Sequence, residues 1–166
     1  MVDFQPMTKH KIHRRFIDQL TAELAATTAV AKKSFATATS EEHQAEHKYD
    51  TFKLEESFLA RGHAKRVEEL SNALESLQML PLKALHESSL IQLGALIRLK
   101  SSDGETRVLL FGSAAGGETI QVDGEEITIV TAQSPLGQAV LGKTVGDTFK
   151  IKIGRLTQTL TVLSVA

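Results

Sequence analysis

Glu41, Glu42 and Glu46, with His43 and His47 among them, form a cluster of side chains able to hold a cation or move a proton. Glu42 and Glu46 stand four residues apart, a spacing that puts both carboxylates on one face of a helix. His43-Gln44-Ala45-Glu46-His47 also fits the H-x-x-E-H pattern of inverted zinc proteases. A zinc site needs a third protein ligand and a walled pocket, and a site at the end of a helical rod offers neither. A purely structural role is open to the glutamates as well. Thr39-x-x-Glu42 fits a capping box, and acidic side chains favour a helix N-terminus through its dipole.

Two long helical patterns flank this cluster. From about Thr8, the residues Ile12, Phe16, Leu20 and Leu24 recur every four positions, continued by Thr28, Ala31 and Phe35. The stretch between is rich in Ala and Thr, which lets a partner helix approach closely. The second pattern carries Tyr49, Phe52, Leu59, Val67, Leu70, Leu74 and Leu77, with Glu56 and His63 on or beside the seam. Residues 1–80 are therefore expected to form a long antiparallel helical hairpin, a coiled-coil arm with its tip at about residues 37–48. Helices of about 30–35 residues would give a rod of about 45–50 Å. The glutamates would sit at its end.

Pro81 closes the arm, and after a mixed connector the period changes from that of a helix to about two. Leu93–Lys100 and Thr106–Gly112 read as a hairpin around Ser102-Asp103-Gly104. Ile127–Ala132, Thr148–Ile153 and Leu156–Val165 read as further strands, with a turn at Asp123-Gly124. Ser134–Leu141 reads as a short helix, with Ser134 as N-cap and Pro135 at the first helical position. The fold class expected is α+β: the hairpin over residues 1–80, then a small antiparallel sheet with one short helix over residues 81–166.

Composition narrows the function. The formal net charge of −1 leaves no basic excess for a nucleic-acid binder held by bulk electrostatics. The lack of Trp argues against a stacking reader of single strands. Without Cys there are no disulfides, thiolate nucleophiles or Cys-type zinc sites. No stretch of about 18 apolar residues is present, so no membrane partner is expected and the cytoplasm is the default compartment. The Gly-rich segment Gly112–Gly117 has the wrong spacing for a phosphate-binding loop.

Two motifs resemble a known family. Ser134–Asp147, SPLGQAVLGKTVGD, resembles the C-terminal signature of the Gre transcript-cleavage factors of GreA/GreB type. Glu46–Gly62, EHKYDTFKLEESFLARG, resembles the start of their second coiled-coil helix. The order of a coiled coil followed by an FKBP-like sheet domain is also the same. Two helical stripes that can pair within one chain point to a monomer, and the resemblance implies a protein that docks its sheet domain on RNA polymerase and places its arm in the secondary channel. The contact residues it implies are Ser134, Pro135, Leu136, Gly137, Gln138, Leu141 and Gly142, with Lys53 near transcript phosphates and the nascent RNA an indirect partner.

The resemblance also implies work for the tip. Cleavage-active family members carry Asp-x-x-Glu there; matched outward from Tyr49, these positions fall on Glu42 and Ala45, so half of the pair is missing. Glu42 and Glu46, with Glu41 beside them, are the expected catalytic carboxylates, and Glu42 and Glu46 would be oxygen donors to the polymerase Mg²⁺. No cofactor of the protein's own is expected, and no enzyme activity apart from the polymerase. The departure at Ala45 keeps open a non-cleaving regulator that competes with cleavage factors. Prolyl isomerase activity is a remote alternative raised by the FKBP-like fold. It needs an aromatic-walled pocket, and residues 81–166 contain only Phe111 and Phe149.

Overall fold

The computed structural model describes residues 8–39 and 50–166. Two long helices, α1 (Lys9–Thr39) and α2 (Asp50–Gln78), precede six strands and one short helix. The strands are β1 (Leu96–Ser101), β2 (Thr106–Phe111), β3 (Thr119–Val122), β4 (Glu125–Val130), β5 (Thr148–Ile153) and β6 (Leu156–Val165), with α3 (Pro135–Val140) between β4 and β5. Packing divides the chain into two compact units. The division falls at Ile17/Asp18 and again at Glu75/Ser76, within both long helices, whereas the change of secondary structure expected at residue 80 follows the end of α2.

In the helical unit, Asp18–Glu75, Arg66 Nη2 donates to Glu23 Oε1 at 2.7 Å, tying α2 to α1. Thr28, Ala31 and Phe35 of α1 and Ala60, Ala64 and Val67 of α2 line a common groove of about 390 Å³. Rising numbers on one helix therefore meet falling numbers on the other, and the pair is antiparallel. The apolar seam is shorter than the sequence pattern suggests. Leu20 and Leu70 are buried, but Phe35 is 65% and Leu59 60% exposed. Ala and Thr between Leu24 and Phe35 supply too little apolar volume to close the seam, and the hydroxyls of Thr28 and Thr37 bond back to the carbonyls of Leu24 and Lys33.

The other unit holds the sheet, in the order β3-β4-β2-β1-β6-β5. The expectation of a wholly antiparallel sheet is corrected at one pair: β2 and β4 run parallel, with Val108 opposite Ile127 and Phe111 opposite Val130. The intervening loop carries the chain out to the edge strand β3, which the sequence pattern did not single out, and β4 then returns alongside β2. One sheet face buries Ile97, Leu99, Leu109, Phe111, Leu160 and Val162, and α3 contributes Val140 to the same core. The opposite face buries Val108, Leu110, Ile127 and Ile129 on β2 and β4.

The start of α1 belongs to this unit and is pinned at three points. Thr8 precedes the helix, and its carbonyl accepts from Lys11 N at 2.9 Å. Lys11 Nζ meets the Asp123 carboxylate at 3.1 Å in the β3–β4 turn. His13 Nε2 lies 2.6 Å from the Leu77 carbonyl, at the end of α2. Lys9 Nζ donates to the Lys83 carbonyl, and burial lowers the pKa of this ammonium from the usual lysine value.

Candidate functional site

The side chains of α3 divide between holding the helix and facing outward. Ser134 is the N-cap: its Oγ accepts from Gly137 N at 3.0 Å and donates to the Thr131 carbonyl at 2.9 Å. Pro135 follows at the first helical position, where no N–H is needed. Gly137 is buried, and a Cβ there would lie 1.9 Å from the Thr131 carbonyl oxygen. Only glycine allows this approach of helix and chain. Val140 is fully buried, and Leu136 and Ala139 pack half-buried against the core.

What remains outward is Pro135, Gln138, Leu141 and Gly142. Leu141 is 47% exposed, and Gly142 has φ +75°, a left-handed conformation that turns the chain away from the helix. Of the seven contact residues expected from the sequence, these four share the surface. Ser134, Leu136 and Gly137 cap and seat the helix instead.

The mounting is rigid by its hydrogen bonds. Gly142 N donates to the Ile91 carbonyl at 2.9 Å, and Ile91 N to the Lys143 carbonyl at 2.8 Å. Thr144 N donates to Asp147 Oδ2 at 2.9 Å, and Lys143 Nζ lies over the Phe149 ring at 5.7 Å. The two bonds to Ile91 bring the connector alongside the end of α3, with exposed Leu90 next in the chain to Ile91 and Leu93 exposed two residues on. Sequence reading placed Leu90 in a mixed connector and took Leu93 as the first residue of a strand.

The tip residues Glu41, Glu42 and Glu46, with His43, Ala45 and His47, lie outside the described residues. Lys53 falls near the start of α2. Among the described residues no group of three or more His, Cys, Asp or Glu could hold a metal ion, and no helix is long and apolar enough to cross a membrane. A cleft of about 540 Å³ lies beside Leu136, over Leu109, Thr128 and Val130, with Arg107, Glu105 and Glu126 at its rim. No aromatic side chain lines it. Phe111 is buried in the core and Phe149 packs against it, so neither walls a proline pocket.

Residues 87–166 match the family model described as transcription elongation factor, GreA/GreB, C-term. This C-terminal domain is therefore of the GreA/GreB type, as the motif at Ser134–Asp147 implied. Among solved structures, the transcription factor Gfh1 is 18% identical, covering 90% of this chain and 92% of that chain with a TM-score of 0.41. GreA factor homolog 1 of Thermus thermophilus is 19% identical over 90% and 94%, with a TM-score of 0.38. A GreA/GreB factor from Nitrosomonas europaea is 15% identical over 58% and 78%, with a TM-score of 0.33. No curated protein matches the chain.

Proposed function

We propose that this protein is a transcription factor that binds bacterial RNA polymerase in the cytoplasm, as a monomer, and reaches into the secondary channel with its helical arm. The observation that carries this reading is the build of α3. A family signature is mounted by a glycine that tolerates no Cβ, while Pro135, Gln138 and Leu141 are left facing solvent. Three outward residues on a firmly held helix suit a docking surface, whose energy concentrates in a few central contacts. The protein performs no chemistry alone and works on the polymerase's own nuclease activity.

The tip carboxylates supply the chemistry in this reading. Glu42 and Glu46, with Glu41 beside them, offer the hard oxygen donors that suit the Mg²⁺ of the polymerase. Lys53 would stand near transcript phosphates. Ala45 favours a second reading. With half of the acidic pair absent, the protein occupies the channel and excludes cleavage factors without stimulating cleavage.

Binding and cleavage are measured separately. Gln138→Glu and Leu141→Asp should each weaken polymerase binding about tenfold, equivalent to about 1.4 kcal/mol, with the melting temperature unchanged. Unaltered binding would remove α3 as the docking surface. On backtracked complexes, Glu42→Ala should abolish cleavage stimulation while leaving binding intact, and Ala45→Glu should raise it. If the wild type gives no cleavage and instead inhibits a cleavage-active factor, with Glu42→Ala inhibiting equally, the second reading holds. Robust cleavage after joint loss of Glu41, Glu42 and Glu46 would defeat both.

A further inference from the structure

We propose that the outward face of β5, β6 and β1 is a weak, sequence-independent docking surface for the sugar–phosphate backbone of a nucleic-acid duplex. The register places the residues. Lys150 and Lys152 lie opposite Thr159 and Thr157, and Lys100 lies opposite Thr161. Their neighbours Phe149, Ile151, Leu99 and Leu160 turn to the core on the other face. Two residues along a strand separate Lys150 from Lys152 by about 6.8 Å, and Lys100, two strands away and level with Thr148, lies about 12 Å from Lys150.

The three lysines are exposed, and none forms an ion pair among the described residues. Two of the nearby carboxylates are paired with arginines, and a third, Asp103, keeps its charge. Glu125 is held by both terminal nitrogens of Arg98. Glu105 accepts from Arg107 at 3.1 Å, and Asp103 accepts from the Glu105 backbone at 3.3 Å. Three lysines against the Asp103 carboxylate leave net positive charge on this face although the whole chain carries a formal charge of −1.

The chemistry selects the partner. Lysine ammonium groups and threonine hydroxyls are typical donors to phosphate oxygens. A protein partner would be anchored by buried aromatic or apolar side chains, and the Lys–Thr rows offer none. A single strand would call for aromatic stacking platforms, which are also missing. A duplex backbone needs neither. With only three phosphate contacts the binding is weak. It would become effective only where a larger assembly already holds duplex close by.

The test uses the full chain and a labelled DNA duplex of about 20 base pairs, followed by fluorescence anisotropy. About three phosphate contacts give a log–log salt slope of about −2.7, so affinity should fall about 40-fold between 50 and 200 mM salt. Lys152→Ala should reduce the slope by about 0.9. The combined Lys100→Glu, Lys150→Glu and Lys152→Glu variant should lose binding with its melting temperature retained. Should that variant misfold, the three lysines replaced by glutamine give the same reading. Gln138→Glu should leave duplex affinity unchanged, which separates this surface from the docking role of α3. Absence of saturable binding at 50 mM salt, an unchanged slope in the lysine variants, or tighter binding of a polyglutamate peptide than of duplex would each overturn the proposal.

Discussion

The sheet unit and the helical unit handle apolar side chains in opposite ways. In the sheet unit, strand register sends alternate residues to one of two faces, and α3 seals part of one of them; Phe111, Ile97 and Leu99 are almost wholly buried. In the helical unit, Leu20 and Leu70 are buried, while Phe35, Leu54, Phe58 and Leu59 remain more than half exposed. Both regions are rich in apolar residues. The difference lies in what faces them: strands on both sides in one case, alanines and threonines in the other. Hydrophobic pattern alone thus marks a surface that could be buried, and the volume of the partner decides whether it is.

The sharpest way to break this comparison is to truncate one aromatic in each unit. Phe111→Ala should destabilise by about 3–5 kcal/mol in denaturant titration, because it removes a buried ring and leaves a cavity. Gly137→Ala comes next, at about 1–3 kcal/mol, because its methyl group collides with the Thr131 carbonyl and overpacks the seat of α3. Loss of polymerase binding should accompany it if α3 is the docking element.

A smaller effect sharpens the electrostatic side. Hydrogen bonds from Arg98 hold the Glu125 carboxyl below the usual glutamate pKa. The resulting stability is fully present above the unfolded pKa, about 4.3, and is lost as pH falls through the lower folded value. Both side chains are 37% exposed, so screening limits the contribution to about 0.5 kcal/mol. Glu125→Gln should flatten the stability profile below about pH 4.3 by that amount. The smallest expected effect belongs to the helical unit: Phe58→Ala, at a position 59% exposed, should change stability by no more than about 0.5 kcal/mol. A cost comparable to Phe111→Ala would mean that the exposed apolar face is covered in solution.

Legibility followed the same division. β5 and β6 stand where alternation and the Gly154 turn put them, and α3 where Ser134 and Pro135 announce a helix start. β3 was hidden because it has four residues between two Gly-containing turns, too few for a period to show. The parallel pairing of β2 with β4 leaves no local mark, since it depends on where the loop between them takes the chain. β1 begins at Leu96 instead of Leu93 because Gly94 takes a left-handed conformation, φ +82°, and Ala95 N turns back to the Gln92 carbonyl. At the candidate site the signature was readable as a block. Its division into seat and surface was not, because burial of Gly137 depends on the Thr131 carbonyl, which belongs to the preceding turn.

The position of β6 has a consequence for the order of synthesis. It follows every other strand in the chain, yet it lies inside the sheet, paired to β5 on one side and β1 on the other. Until residues 156–165 have left the ribosome, β5 has no neighbour and β1 has only β2. A nascent chain stalled before that point presents the apolar faces of β1 and β5 to water. Such a stall would make it a substrate for chaperones. Completion of this last strand is therefore the event that joins the two halves of the sheet.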